Sequence, residues 1–133
     1  MAKKKIFISY DYDNDKRYKN LLLAWDANKE FDFSFDDHSA DVSINSTDAA
    51  AIKRAISAKI NSATYLLCII GTKTHKSAWV KWEISKAVEL GKKIVAVKTD
   101  STNTSPDEIL GIGASWAMSF TFDSIKTAID SAK

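Results

Sequence analysis

The segment SAWVKWEISKAVELG, from Ser77 to Gly91, predicts a helix that carries a carboxylate on its apolar side. At about 100° of rotation per residue, Glu83 lies about 40° from Trp79. Because residues four apart meet on one helix face, a flat indole wall stands next to the charge. Two interpretations of Glu83 follow. It is either a glutamate near the helix start that interacts favourably with the helix dipole and reaches solvent, or a carboxylate placed for chemistry. The apolar residues of the same arc are Val80, Ile84, Ala87 and Leu90.

Apolar and amphipathic segments alternate along the chain, and they predict the elements that position this carboxylate. Short β-branched or aromatic runs indicate strands, and longer segments with apolar residues four apart indicate helices. The predicted strands are KIFISY (Lys5 to Tyr10), FDFSFDD (Phe31 to Asp37), TYLLCIIG (Thr64 to Gly71), KKIVAVKTD and WAMSFTF. The predicted helices are DKRYKNLLLAWDAN (Asp15 to Asn28), TDAAAIKRAISAKINSA (Thr47 to Ala63), the Glu83 segment and DSIKTAIDSAK, with Asp123 as a candidate cap.

This alternation predicts an α/β fold in one domain over residues 1–133. The leading topology is a flavodoxin-like three-layer sandwich, with a five-stranded parallel sheet in the order 2-1-3-4-5 and helices on both faces. In such folds ligands bind beyond the carboxyl ends of the strands. The N-terminal half of the Glu83 helix borders that crevice, and this position favours the chemical interpretation of Glu83.

The loop SYDYDND, after the first strand, brings polar groups to the predicted crevice. It offers Ser9, Tyr10, Asp11 and Asp13, and for Asp13 and Asp15 we favour capping of the first helix over a contact with a ligand.

Two further loops also face the predicted crevice. After the second strand, Asp36 or Asp37 is a candidate ribose contact, and an exposed turn is the alternative for both. Near the start of the Glu83 helix, Lys73, Lys76 and Lys81 are candidates to face phosphates, since backbone N–H groups also point outward there. A solvated basic surface is the alternative for each lysine.

Composition excludes several function classes. The chain has 19 basic and 17 acidic residues, a net charge of +2, which implies neither a nucleic-acid nor a membrane partner. The basic N-terminal residues precede only a short apolar strand, and no run approaches the roughly 20 apolar residues of a membrane span. The single Cys68 forms no intrachain disulfide, which favours a cytoplasmic location. His38 and His75 with one cysteine do not suggest a metal site.

KIFISY followed by an acidic loop, together with Ser77, Trp79 and Glu83 in SAWVKWE, resembles the TIR domain. TIR domains have a FISY-like first strand and an S-x-W-C-x-x-E motif that opens a later helix. Val80 stands where many of them have cysteine, and this departure leaves the Trp–Glu pair intact. The chain is most similar to stand-alone bacterial TIR-like proteins of the Thoeris anti-phage type. The order of elements matches over almost the whole chain, although only these two segments are specific.

The resemblance implies cleavage of NAD at the nicotinamide–ribose bond, with Glu83 as the catalytic residue. Ser77 and Trp79 would line its pocket, and Ser9, Tyr10 and Asp11 would contact the substrate. Nicotinamide is a cationic leaving group that needs no general acid, and a fixed carboxylate can stabilise the oxocarbenium-like charge that develops on the ribose. Attack by water gives ADP-ribose, and attack by adenine or another ribose hydroxyl gives a cyclic product, which a dry pocket favours.

The resemblance also implies partners. TIR enzymes commonly complete their sites by self-assembly, and a separate effector protein would sense the product. NAD would be a substrate in an open crevice and not a cofactor, because no GxGxxG motif is present; the nearest pattern, Gly111 to Gly113, is too short.

Rival functions share the predicted fold. A phosphoacceptor receiver domain needs an aspartate ending the third strand and a lysine ending the fifth, which CIIGTKT and SFTFDS lack. A flavodoxin needs a phosphate loop after the first strand, where the acidic SYDYDND would repel phosphate. Two alternatives stay open: a non-catalytic TIR-like adaptor that acts by self-association, and a nucleoside-processing glycosyl transferase that uses a carboxylate in the same way.

Overall fold

A parallel sheet of five strands organises the molecule, in the order β2-β1-β3-β4-β5. The computed structural model describes residues 3–26, 29–36 and 42–133. The predicted topology is confirmed, and every neighbouring pair of strands is parallel. The strands are β1 (Lys4–Ser9), β2 (Phe31–Phe35), β3 (Tyr65–Ile70), β4 (Lys93–Lys98) and β5 (Ser115–Ala117).

Four helices cover the two faces of this sheet. They are α1 (Tyr12–Trp25), α2 (Ala49–Ser62), α3 (Ala78–Glu89) and α4 (Phe122–Ser131). Alternate residues of the central strands enter opposite cores, as the two-residue period of a strand requires. Phe7, Leu66 and Cys68 pack with α2 and α3, whereas Ile8 and Leu67 pack on the side that buries residues of α1 and α4. The sheet therefore separates two apolar clusters, and Glu83 belongs to the α2/α3 side.

The starts of α1 and α4 differ from the predictions. Helix α1 begins at Tyr12, three residues before the predicted Asp15, and the side chain of Asp11 caps it by accepting from the backbone N–H of Asp13. The prediction that Asp13 or Asp15 caps α1 is therefore wrong. Helix α4 is capped by Thr121, whose side chain accepts from the N–H of Ser124. The capping prediction for Asp123 is also wrong, because the helix starts at Phe122 and places Asp123 within its first turn.

The ends of α3 and β5 also differ from the predicted pattern. Leu90 was assigned to the apolar arc of α3 but is 37% exposed, because the helix ends at Glu89 and the chain turns away at Gly91 with φ of 72°. Strand β5 has only three residues, although WAMSFTF predicts a longer one. None of the helices described at residues 3–26, 29–36 and 42–133 is long and apolar enough to cross a membrane.

A buried polar junction joins α1 to the loop that precedes α3. Asp15 is only 3% exposed and accepts a hydrogen bond of 3.0 Å from the hydroxyl of Thr74. The same hydroxyl oxygen accepts from the backbone N–H of Gly71 at 2.7 Å. Burial raises the pKa of Asp15, and the Thr74 hydrogen bond opposes that rise. The junction fixes the start of the loop that leads into α3.

The variant Gly71→Ala is expected to lower the free energy of unfolding by about 1–3 kcal/mol, as overpacking of a filled site does. A Cβ atom at this position would lie 2.2 Å from Oδ1 of Asp15, and the buried carboxylate has nowhere to move without losing Thr74. Urea unfolding measures the effect, with the exposed neighbour substitution Thr72→Ala as the control. Equal stabilities of the two variants would show that Asp15 is not held in place.

Candidate active site

The carboxylate of Glu83 is buried on the α2/α3 side of the sheet, near the carboxyl end of β1. Its side chain is 4% exposed, and Oε1 accepts a hydrogen bond of 2.6 Å from Oγ of Ser9. Ser9 is the last residue of β1 and is itself fully buried. Helix α3 therefore directs Glu83 over the strand end and not into solvent, so the solvent-reaching interpretation of this residue is wrong.

The environment of Glu83 favours its protonated form. Burial raises its pKa to about 8, and the negative charge of Asp36 adds to the rise. The hydrogen bond from Ser9 and the positive charge of Lys59 oppose it. The exposed lysines near the start of α3 are not among these influences. Glu83 is thus a titratable group close to neutral pH, the behaviour expected of an acid or base in an active site.

A cleft of about 290 Å³ opens at the carboxyl ends of β1 and β3. It contains many of the predicted site residues, including Tyr10, Asp11, Ser77 and Trp79 as well as Lys73 and Lys76. Lys81, Ser9 and Glu83 do not line it, so Lys81 is not brought to the predicted position facing phosphates. The other residues of the lining are Tyr12, Asp13 and Asn14.

Charges of opposite sign border this cleft. The N-terminus of α1 contributes Asp11 and Asp13, and the loop before α3 contributes Lys73 and Lys76. Both oxygens of Asp11 are engaged locally, one with the N–H of Asp13 at 3.2 Å and one with the side-chain amide of Asn14 at 2.7 Å. Asp11 therefore has a structural task as the cap of α1 in addition to its place in the cleft.

Ser77 and Trp79 form the wall of the cleft at the start of α3. Ser77 caps the helix, its hydroxyl accepting from the N–H of Val80 at 3.3 Å. The indole of Trp79 is 9% exposed and donates a hydrogen bond of 2.7 Å to the carbonyl oxygen of Val42. Trp79 also meets the ring of Trp82 edge-on at 6.0 Å. Trp79 thus joins α3 to the segment that precedes α2.

Trp82 is less enclosed than Trp79. It is partly buried against the α2/α3 core, and the ammonium groups of Lys53 and Lys86 lie 5.9 Å from its ring centre. The expectation of an ordinary core position for Trp82 is therefore met only in part, because the residue is partly buried.

The predicted ribose contacts after β2 have different outcomes. Asp36 is partly buried and lies close enough to Glu83 to affect its ionisation. Asp37 lies outside the described residues, as does the rest of the segment 37–41.

Several residues near the site were missed by sequence reasoning. Lys19 is 4% exposed, with its ammonium 4.1 Å from the centre of the Phe35 ring and 5.6 Å from that of Tyr10. Lys59 donates from Nζ to the carbonyl oxygen of Phe35 at 3.0 Å. A lysine within a helix ordinarily predicts a solvated position, so the sequence carries no signal for either contact.

A second cleft, of about 310 Å³, lies between α2 and the strands β1 and β2. Its lining includes Lys5 near the start of β1 and Ser62 at the end of α2. Parallel α/β folds bind ligands at the opposite edge, so the smaller cleft is the candidate site. Within the described ranges, no group of three or more His, Cys, Asp or Glu residues is arranged to hold a metal ion.

The sheet order and a buried glutamate beside the carboxyl-end crevice define a flavodoxin-like α/β domain with a carboxylate site. Residues 7–104 match the family described as "Thoeris protein ThsB, TIR-like domain". The match extends over most of the chain, and the chain belongs to this family. The resemblance inferred from FISY and from the Ser–Trp–Glu set is thereby confirmed.

One curated relative is ThsB1 of Bacillus cereus (strain MSX-D12), named as a candidate cyclic ADP-D-ribose synthase. It is 35% identical over 51 residues, which are 38% of this chain and 27% of the relative. The match thus spans about a quarter of the length of that protein.

Two solved structures share the fold. A 2-desoxiribosyltransferase from Leishmania mexicana has a TM-score of 0.61 at 16% identity, over 93% of this chain and 95% of that one. A 2-deoxyribosyltransferase from Bacillus psychrosaccharolyticus has a TM-score of 0.60 at 14% identity, over 91% and 95%. At these identities the likeness concerns the fold alone.

Proposed function

We propose that this TIR-like domain cleaves NAD at the nicotinamide–ribose bond and uses Glu83 to stabilise the transition state. The observation that carries the proposal is a buried carboxylate, hydrogen-bonded to Ser9 at 2.6 Å, beside the crevice where this fold binds ligands. The family, and the activity for which its Bacillus cereus relative is named, support NAD as the substrate.

The chemistry needs Glu83 in its ionised form. Breaking the bond sends the bonding electron pair to nicotinamide, which leaves neutral, and positive charge develops at C1′ of the ribose. A carboxylate held in a site that excludes water stabilises that charge strongly. The free protein holds Glu83 mostly protonated at neutral pH, because its pKa is about 8. The substrate is a cation at the nicotinamide ring, so its binding favours loss of the Glu83 proton.

The remaining site residues have proposed roles in binding. Lys73 and Lys76 face the pyrophosphate across the cleft, and Trp79 forms a flat wall. Ser9 orients Glu83 and is a positioning residue, since its hydroxyl is engaged with that carboxylate. NAD acts as a substrate, and no cofactor takes part.

The proposal also covers the product of the reaction and the partners of the protein. A cyclic ADP-ribose derivative forms when a group of the same nucleotide attacks C1′, and a separate effector protein in the cytoplasm senses it. The cleft of about 290 Å³ is at the lower end of the range for small-ligand sites, roughly 300–1,000 Å³, and Glu83 is not in its lining. A second copy of the chain packed over the crevice would enlarge the enclosed site, which makes self-assembly part of the proposal.

Nicotinamide release from NAD tests the proposed function. The purified protein is assayed at low and high concentration, and products are separated by chromatography. Release that rises more steeply than protein concentration supports an enzyme that is completed by self-assembly, and the product peak identifies the signal. Absence of release at every concentration, with clear self-association, would favour the adaptor.

A nucleoside-processing glycosyl transferase is the second candidate, since two solved structures that share this fold are named as deoxyribosyltransferases. It would transfer deoxyribose between bases and leave NAD intact. A panel containing NAD, deoxynucleosides and free bases therefore separates the two activities.

The variant Trp79→Ala is expected to lower NAD cleavage per folded molecule more than Trp82→Ala does. Trp79 lines the cleft and donates to the carbonyl of Val42, whereas Trp82 does not line the cleft. Because loss of a buried tryptophan costs about 3–5 kcal/mol of stability, activity is normalised to the folded fraction from circular dichroism. Trp79→Phe keeps a smaller aromatic ring and removes the N–H donor, and should have an intermediate effect. A larger loss from Trp82→Ala would contradict the assignment of helix faces.

A further inference from the structure

A second carboxylate, that of Asp36, lies at the same end of the sheet as Glu83. Asp36 directly follows Phe35, the last residue of β2, and Ser9 ends the neighbouring strand β1. The register pairs Ile8 with Phe35, so the next position along each strand places Asp36 beside Ser9. Ser9 in turn donates to Oε1 of Glu83 at 2.6 Å. Asp36 therefore follows the end of β2, and Glu83 of α3 lies over the end of the neighbouring strand β1.

Strand alternation indicates which face Asp36 takes. Phe31, Phe33 and Phe35 pack on the α1/α4 side of the sheet. Asp32 and Ser34 line a cleft with residues of α2 on the opposite side. Asp36 continues the even-numbered series, which is the side of Glu83. Its charge raises the pKa of Glu83, as expected of a carboxylate near that group.

The two carboxylates differ in solvent access. Glu83 is 4% exposed, whereas Asp36 is only partly buried. The side chain of Lys59, on α2, reaches the end of β2, where its Nζ donates to the carbonyl oxygen of Phe35 at 3.0 Å. The buried acid suits a dry ribose centre, and the outer acid suits contact with a nucleophile that arrives from the crevice.

We infer that Asp36 is the general base of the proposed reaction and activates the oxygen nucleophile that attacks C1′ while nicotinamide departs with the assistance of Glu83. The inference rests on the proposed function. The attacking oxygen of water, or of a hydroxyl of the same nucleotide, forms the new bond to C1′ and gives its proton to Asp36. The C1′–N bond breaks, and its electron pair leaves with nicotinamide. Asp36 then releases the proton to solvent.

Chemical rescue by azide tests the role of Asp36. The variant Asp36→Ala is expected to release nicotinamide about 10²-fold more slowly than wild type, the usual contribution of a general base. Sodium azide is an anion that needs no deprotonation, so it should restore release at least about tenfold and form ADP-ribosyl azide. Glu83→Gln should not be rescued. Asp32→Ala is the matched control, because Asp32 is exposed near the start of β2, belongs to the same even-numbered series and is also an aspartate.

The outcomes separate the inference from the proposed function. If wild type releases nicotinamide and Asp36→Ala does so as fast as Asp32→Ala, the general-base role is overturned while the proposed function stands. A loss that azide does not relieve also overturns it. If wild type releases none at any concentration, the role of Asp36 falls together with the proposed function.

A measurement that does not depend on activity checks the pairing of the acids. The groups that influence the ionisation of Glu83 are Ser9 on β1, Lys59 on α2 and Asp36 after β2, and the charge of Glu83 in turn acts on the buried thiol of Cys68 on β3. Removing the Asp36 charge with Asp36→Asn should lower the pH at which Glu83 titrates in the folded protein, followed by its carboxyl NMR signal. Lys59→Gln should raise that pH, and Asp32→Asn should leave it in place. An unchanged titration in Asp36→Asn would overturn the pairing.

Discussion

Substitution of Glu83 by glutamine is expected to lower nicotinamide release from NAD by at least about 10²- to 10³-fold, the usual consequence of removing one preorganised charge-stabilising group. Glutamine has nearly the same shape and can still accept the hydrogen bond from Ser9, so the change removes the charge and retains the packing. The assay is nicotinamide release at saturating NAD, with the folded state verified by circular dichroism. Wild-type turnover in this variant would eliminate the proposed mechanism.

Glu89 provides the matched control for that experiment. It lies on the same helix, its side chain is 65% exposed, and it pairs with Lys86 at 2.6 Å. Glu89→Gln makes the same chemical change away from the crevice and should leave turnover within about twofold of wild type, since exposed ion pairs contribute little. A comparable loss in both variants would indicate a general effect of charge and not a catalytic role of Glu83.

The same Glu83→Gln variant is expected to be more stable than wild type at alkaline pH, by an amount on the order of 5 kcal/mol. The pKa of Glu83 is about 8 in the folded protein against an ordinary value of 4.5. Between these values the folded state binds more protons than the unfolded state, so the stability of wild type falls as pH rises from about 4.5 to about 8 and then levels off. Glutamine does not ionise, and the variant lacks this fall.

Urea unfolding at pH 5, 6, 7, 8 and 9 measures the difference between wild type and Glu83→Gln, in which contributions of the other groups cancel to first order. The difference should grow in favour of the variant by up to about 1.4 kcal/mol per pH unit within this window. A difference that stays constant across the series would mean that Glu83 is ionised in the folded protein throughout. Activity and stability thus change in opposite directions at one position, as expected for a strained functional site.

The fold was predictable because its signals are redundant along the chain. The continuous apolar run of β3, every residue of which is buried, indicates a central parallel strand without further information. The alternation of strands and helices then leaves few topologies. The boundaries were less predictable, since YDYDND offers three aspartates and the one that caps α1 depends on where β1 ends. Thr121 was overlooked for the same reason at α4.

The position of Glu83 followed from helical periodicity, but its partner did not. Ser9 and Glu83 are 74 residues apart in sequence, and nothing in the spacing of either segment specifies that the two side chains meet. The contact arises only when β1 and α3 pack in the folded domain. The same applies to Asp15 and Thr74, which are 59 residues apart. Local patterns specify elements and faces, whereas pairs of polar groups across elements depend on tertiary packing.

The burial of helix α3 also limits which part of the site can move. Val80, Ile84 and Ala87 are at most 1% exposed, so a displacement of the helix that brought Glu83 toward solvent would also expose these core residues. Val42 is attached to this helix by the hydrogen bond from the indole of Trp79, worth roughly 1 kcal/mol net, and it also packs against the same core. Glu83 therefore keeps its position relative to the sheet and is the fixed reference point to which the substrate must come.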